Sequence, residues 1–165
     1  MIAYIVLALV AAQRISELLY AQHNTRVLLA KGAVEVGKSH YPLFVILHAA
    51  WLIAIVLMLP KPPPTYWLPL AGYVVLQVLR VWTVVSLGPF WTTRIITLAD
   101  APLVRRGPYR FVRHPNYLIV ACEIVLLPLV FGEFWVAAVF TVLNGMLLFW
   151  RIREEENALG PRLSL

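Results

Sequence analysis

Apolar residues along this chain fall into five long runs, separated by short stretches where charge, proline and glycine collect. A bilayer core about 30 Å thick is crossed by roughly 20 mostly apolar residues in a helix. The runs Ile2 to Tyr20, Pro42 to Leu59, Tyr66 to Leu87, Asn116 to Phe131 and Glu133 to Trp150 have that character. The first is broken by polar residues and continues into a polar, helix-like stretch ending near Gly32, and the fourth is short. Only Gly132 and Glu133 stand between the last two runs, which predicts a tight antiparallel hairpin. Pro60 to Pro64 predicts a stiff, short link between the second and third. The first run lacks a basic leader, which argues against a cleaved signal peptide. No internal repeat or linker divides the chain. The pattern predicts an all-α integral membrane protein with five transmembrane helices in one domain spanning residues 1–165.

Composition sharpens this. Of the 165 residues, 61% are hydrophobic and 13% charged, against about a quarter charged in a soluble domain. A water-soluble globule and a disordered chain are both excluded. The single cysteine, Cys122, excludes a disulfide framework and a clustered cysteine metal site. None of the 8 glycines forms a Gly-x-Gly, so there is no glycine-rich nucleotide loop.

The net charge of +6 raises the question of nucleic acid, and the placement of the basic residues answers it. With five crossings, one side of the membrane carries Arg26, Lys31, Lys38, Arg94, Arg105, Arg106, Arg110, Arg113, Arg151, Arg153 and Arg162, and the other carries Lys61 alone. That asymmetry places the amino terminus outside and the carboxyl terminus in the cytoplasm. Nucleic-acid binding is not expected, because the basic residues are scattered over three segments without a strand-tracking aromatic stripe.

Ionisable groups inside apolar spans are costly unless paired or facing a cavity, and each marks a candidate site. Arg14 and Glu17 lie three apart on one helical face and can pair. Arg80 and Glu123 can clasp the third helix to the fourth. His48 reads as a core histidine. His40, beside Tyr41 and Pro42, reads as an interfacial anchor.

The densest chemistry lies in the polar segment from Gly88 to Pro115. Gly107-Pro108 signals a turn, and Pro115 suits the first turn of a helix. The fourth helix therefore starts beside His114, with free backbone donors and a positive dipole end facing a basic loop. Such a terminus suits an anionic group, and Tyr109, His114 and Tyr117 gather at it. If the last helix continues past the membrane, Arg151 and Glu155 lie one turn apart on one face. Arginine can fork onto a carboxylate, and glutamate can accept hydrogen bonds from sugar hydroxyls. The alternative is a helix exit held by its own charge pairs.

The order Gly107-Pro108-Tyr109-Arg110, Arg113-His114-Pro115-Asn116-Tyr117, an apolar hairpin, then Arg151-x-x-x-Glu155-Glu156 resembles the isoprenylcysteine carboxyl methyltransferase family of membrane enzymes. Glu35-x-Gly37-x-x-His40-Tyr41-Pro42-Leu43 and Phe90-Trp91-Thr92-Thr93-Arg94-Ile95 are similar to its small bacterial branch, which includes alkylpyrone O-methyltransferases. The resemblance implies S-adenosyl-L-methionine as cofactor, held by Leu103, Val104, Tyr109, His114, Pro115, Asn116 and Tyr117. Arg151 and Glu155 would close the site, with Arg153 and Glu154 as alternatives for that pair. Ala101 stands where a cofactor-contacting histidine usually precedes the Leu-Val pair, which points away from a prenylcysteine substrate.

Methyl transfer from a sulfonium needs an oxygen nucleophile held in line, about 3 Å from the methyl carbon. A carboxylate or acidic enol acceptor is already ionised near neutral pH, and Arg94 or Arg151 would orient it. The expected partners are membrane lipids and a lipophilic small-molecule acceptor, and the bacterial branch implies the cytoplasmic membrane. Two competing readings are a phospholipid N-methyltransferase, which would need a base, and a small transporter or lipid-binding protein in which Glu17, Arg80 and Glu123 line a path.

Overall fold

The computed structural model describes residues 1–38, 41–98 and 104–163, the last six of these by backbone alone. Its five α-helices are α1 (Ile2–Ala30), α2 (Tyr41–Met58), α3 (Trp67–Leu87), α4 (Pro115–Val130) and α5 (Phe134–Leu163). Two three-residue strands, β1 (Val34–Val36) and β2 (Ile95–Thr97), pair antiparallel with Glu35 opposite Ile96. This ribbon is a small addition to a predominantly helical fold, which otherwise has the expected five helices. It rests against α5 and ties the end of α1 to the segment leaving α3.

Four of the helices, α1, α2, α3 and α5, are long and apolar enough to cross a membrane. Their outward faces are apolar, with Leu57 79% and Leu68 86% exposed, as a lipid-facing surface requires. The 16 residues of α4 rise only about 24 Å, short of a full hydrocarbon core. Half of them are buried, because α4 packs between α3 and α5 at the centre of the bundle. The common core joins Leu7 and Val10 of α1, Trp51 and Ile55 of α2, Tyr73 of α3, and Ile124 and Leu127 of α4.

Glycine sets two of the helix ends. After α1, Gly32 takes φ +88° and donates to the Leu29 carbonyl, while the Ala33 amide reaches back to Leu28 at 3.1 Å. This Schellman closure satisfies carbonyls that the helix end would otherwise leave free. It ends α1 at Ala30, so the helix runs through the polar stretch past Tyr20 to near Gly32, as expected. The same device closes α4, where Gly132 has φ +76° and Glu133 donates its amide to Pro128 at 3.0 Å. The expected hairpin between α4 and α5 follows from it.

Glu133 lies in that turn, outside the spans, and is buried with neither carboxylate oxygen hydrogen-bonded. Burial pushes its carboxyl up from 4.5 to about 7. A carboxyl raised in this way favours the folded state while protonated. Its contribution is complete below pH about 4.5 and is lost as the pH rises through about 7. Glu133→Gln should therefore match the parent's melting temperature at pH 4 to 5 and exceed it at pH 8. Melting in detergent across that range checks this, and an identical decline in both proteins would contradict it.

Inside the bundle the expected pairs merge into one network. Arg80 forks onto Glu17 with contacts of 2.6 to 2.9 Å and reaches Glu123 at 3.0 Å. Arg14 reaches the same Glu123 oxygen at 2.7 Å, and Gln77 and Gln13 donate to Glu123 and Glu17. Two cations and two anions so tie α1, α3 and α4 together in the apolar layer. His48, expected in the core, is half-buried at the cavity wall, with Nδ1 donating to the Phe44 carbonyl at 2.8 Å.

Candidate active site

The turn before α4 is built on a close approach. Gly107, at φ +57°, passes so near α3 that a Cβ would fall 2.0 Å from the Ser86 hydroxyl. Arg106 Nε donates to the Ser86 carbonyl at 2.8 Å. This pins the 3-10 turn Gly107–Arg110 onto the end of α3 and sets where Tyr109 and His114 lie. His114 then caps α4 with Pro115 in its first turn, as expected, so the helix opens onto this corner.

Tyr117 is the hub. Its ring stacks on His114 with centroids 5.3 Å apart and planes 18° from parallel. Its hydroxyl donates to Glu155 and accepts from Arg151 Nε at 2.8 Å. Arg151 also donates to the Thr93 carbonyl at 2.8 Å and lies over the Phe44 ring. His114 stands 3.8 Å from both Glu155 and Glu156. The sequence placed Arg151 and Glu155 on one face of α5, and there they are. They meet through the Tyr117 hydroxyl, and no direct ion pair joins them among the described residues.

These groups line one end of a cavity of about 1040 Å³. Val104, Tyr109, Asn116 and Arg94 line it too, while Pro115 is buried in the helix start. Leu103, His40 and Ala101 lie outside the described residues. Burial, with the Glu155 charge second, holds the Tyr109 phenol well above its usual range, so it stays protonated. Three buried polar atoms of lining residues have no hydrogen-bond partner: Arg14 Nε in the bundle, and Asn116 Oδ1 and Trp91 Nε1 on the segments that carry this corner. Buried polar atoms are almost always bonded, so Asn116 Oδ1 and Trp91 Nε1 suit a ligand that offers a donor and an acceptor.

Arg94 is held away from the Tyr117 cluster. It donates to both Glu35 oxygens at 3.1 and 3.2 Å and stacks over Tyr41 at 4.8 Å. Glu35, Tyr41 and Thr93 belong to the two stretches similar to the bacterial branch, but their part as partners of Arg94 and Arg151, and that of Phe44, was not readable, because each meets its partner from a distant segment. Asn24 is a further support. Its amide donates to the Gly88 and Trp91 carbonyls at 3.1 and 2.9 Å, bracing the strip that carries Thr93. A polar residue continuing the helical stretch after Tyr20 was the available signal.

The isoprenylcysteine carboxyl methyltransferase (ICMT) family model matches residues 67–161, which include α3, α4, nearly all of α5 and the turn between. The uncharacterized protein YpbQ of Bacillus subtilis (strain 168) is 37% identical over 160 residues, covering 94% of this chain and 95% of that protein. An uncharacterized protein of Haemophilus influenzae is 28% identical over 161 residues, covering 94% of each. No solved structure matches. With the matched region holding the Tyr117 hub and both of its α5 partners, the chain belongs to the isoprenylcysteine carboxyl methyltransferase family, a family of membrane methyltransferases.

Proposed function

We propose that this protein is an S-adenosyl-L-methionine-dependent O-methyltransferase acting on a lipophilic acceptor at the cytoplasmic face of a bacterial membrane. The observation that carries the reading is the meeting of His114, Tyr117, Arg151 and Glu155 at one end of a cavity that continues between apolar helix walls. In this reading α4 counts as a fifth crossing, the amino terminus lies outside, and the basic residues face the cytoplasm.

The residues present suit the cofactor. Asn116 Oδ1 would accept from an amino or hydroxyl donor and Trp91 Nε1 would donate, which employs these two orphaned atoms. The α4 start and His114 would face a carboxylate, and Glu155 with Glu156 would face cationic groups. Leu103, Val104, Tyr109, Pro115 and Tyr117 complete the proposed contacts. When bound, the cofactor supplies an electrophilic methyl group on a sulfonium.

Everything else is positioning by this chain. Arg151, tethered to Tyr117 and to the Thr93 carbonyl, is aimed to hold an acceptor anion in place. Arg94 is a second cation at the rim. An acceptor such as a carboxylate or an alkylpyrone-type enol carries its own negative oxygen at neutral pH, so no strong base is required. The stacked His114 and Tyr117 rings and the Phe44 ring exclude water from the corner. The acceptor tail enters from the bilayer between α1 and α2, where Ile15, Leu18, Val45 and Leu52 form the walls.

Titrating the detergent-solubilised protein with S-adenosylhomocysteine should give saturable heat and a raised melting temperature. Folded protein with neither response would overturn the reading. The nature of the acceptor oxygen is read by incubating membranes with methyl-labelled cofactor. A base-labile ester or a stable ether is expected, and label recovered in an amine would favour phospholipid N-methylation.

A further inference from the structure

The cavity does not end in hydrocarbon. Beyond its apolar walls it reaches Arg14, Glu17, His48 and Arg80. Glu123, which takes the Arg14 hydrogen bond, lies six residues along α4 from Tyr117. At the helical rise that is about 9 Å deeper in the bundle. A chamber needed only for an oily tail has no use for charges at this depth, where they are costly.

The four charges also differ in the way they turn. Glu123 is closed off, its side chain 1% exposed, and Arg80 touches the cavity wall at 6% exposure, whereas Arg14 and Glu17 are 18% and 14% exposed. The one link between the exposed pair is 3.6 Å, too long for a hydrogen bond. The other three ion contacts are 2.6 to 3.0 Å. Arg14 is bonded to Glu123 and Glu17 to Arg80 and Gln13, so the two do not bond each other, and the Arg14 guanidinium keeps N–H groups to spare beside the Glu17 carboxylate. His48 adds a second acceptor. Its Nδ1–H is used on the Phe44 carbonyl, which in the neutral ring leaves Nε2 with a free lone pair. Among the described residues no group bonds to that nitrogen.

We propose that Arg14, Glu17 and His48 form a second polar subsite, which takes an uncharged hydroxyl of the lipophilic ligand about 9 Å deeper than the atom held at Tyr117 and Arg151. The inference rests on the cavity being the acceptor chamber and narrows the acceptor class. A hydroxyl can accept from a spare Arg14 N–H and donate to His48 or Glu17 at once, whereas a plain alkyl chain leaves the His48 Nε2 lone pair and that N–H without a partner. A charged group is disfavoured, because the network is already neutral and a further ion would be buried without a partner.

The test uses binding, so it does not depend on turnover. Radiolabelled hexadecanoate and its 4-, 8- and 12-hydroxy derivatives are equilibrated with the full-length protein in detergent. The 8-hydroxy acid, whose hydroxyl stands at about the required separation from the carboxylate, should bind about tenfold tighter than the parent acid, with the 4- and 12-isomers weaker. His48→Leu, which leaves the ion network intact, should shrink that preference to about threefold or less, and Glu17→Gln should do the same if it folds. A flat profile across the isomers, no saturable binding by any of them, or a preference that His48→Leu leaves unchanged would each overturn the subsite. S-adenosylhomocysteine titrations on the same samples read the methyltransferase proposal separately. Cofactor binding with a flat isomer profile removes only the subsite, and isomer selectivity without cofactor binding removes only the methyltransferase reading.

Discussion

Glu123→Gln should destabilise the folded protein by about 3–5 kcal/mol, the usual cost of removing one partner from a buried ion pair. Glu123 accepts hydrogen bonds from Arg14, Arg80 and Gln77, and its side chain is 1% exposed. A neutral amide there leaves two guanidiniums facing the single Glu17 carboxylate, a net positive charge inside the apolar layer. Unfolding in mixed micelles with increasing dodecyl sulfate measures the loss. Combining Glu123→Gln with Arg14→Met restores neutrality, so the double variant should be more stable than the sum of the two single losses implies. A Glu123→Gln protein as stable as the parent would mean that the network does not hold α1 to α3 and α4.

The second large effect is on binding. Tyr117→Phe removes one oxygen that serves both Arg151 and Glu155. Hydrogen bonds to charged groups contribute about 1.5–3 kcal/mol, so the affinity for S-adenosylhomocysteine should fall by roughly tenfold to a hundredfold. Glu155→Gln should fall in the same range, because it removes the charge that Tyr117 and His114 address. Glu133→Gln should leave the affinity unchanged, since Glu133 stands past the opposite end of α4 from the site. Calorimetric titration of the three variants gives the comparison. Equal losses in all three would show that the Tyr117 corner is not where the cofactor binds.

How legible this was in the sequence depends on the range of each interaction. The five apolar runs became five helices within a residue or two at most ends, because spacing and composition are local. Pro115 at a helix start and Gly132 at a helix end mark backbone geometry that a residue carries with it, and both were readable. The segments of α4 and α5 that bear Tyr117, Arg151 and Glu155 were recognisable as a motif. The three-residue strands were not, since Val34–Val36 and Ile95–Thr97 are too short for an alternating pattern and exist only by pairing with each other.

Charge pairing divides along the same line. Arg14 with Glu17, and Arg80 with Glu123, were foreseeable as separate pairs from helical spacing and from the cost of lone ions in lipid. That Arg14 bonds Glu123 across 109 positions, so that two pairs become one four-charge cluster, follows only from how α1 leans on α3 and α4. Arg94 makes the opposite point. The methyl-transfer reading offered it, with Arg151, as the cation that orients an acceptor anion, and the ribbon brings Glu35 to it, a carboxylate within reach that competes for any cation.

The linear chain determined the membrane habitat, the number and rough limits of the helices, and which short stretches carry polar chemistry. All of these follow from transfer free energies and backbone preferences acting over a few residues. Tertiary structure alone decided that Tyr117 joins Arg151 to Glu155, that the Thr93 carbonyl and the Phe44 ring frame that corner, and that one cavity runs from it to the buried charges. Those contacts bring together segments tens of residues apart, and such meetings are set by packing of the whole bundle rather than by the preference of any one segment.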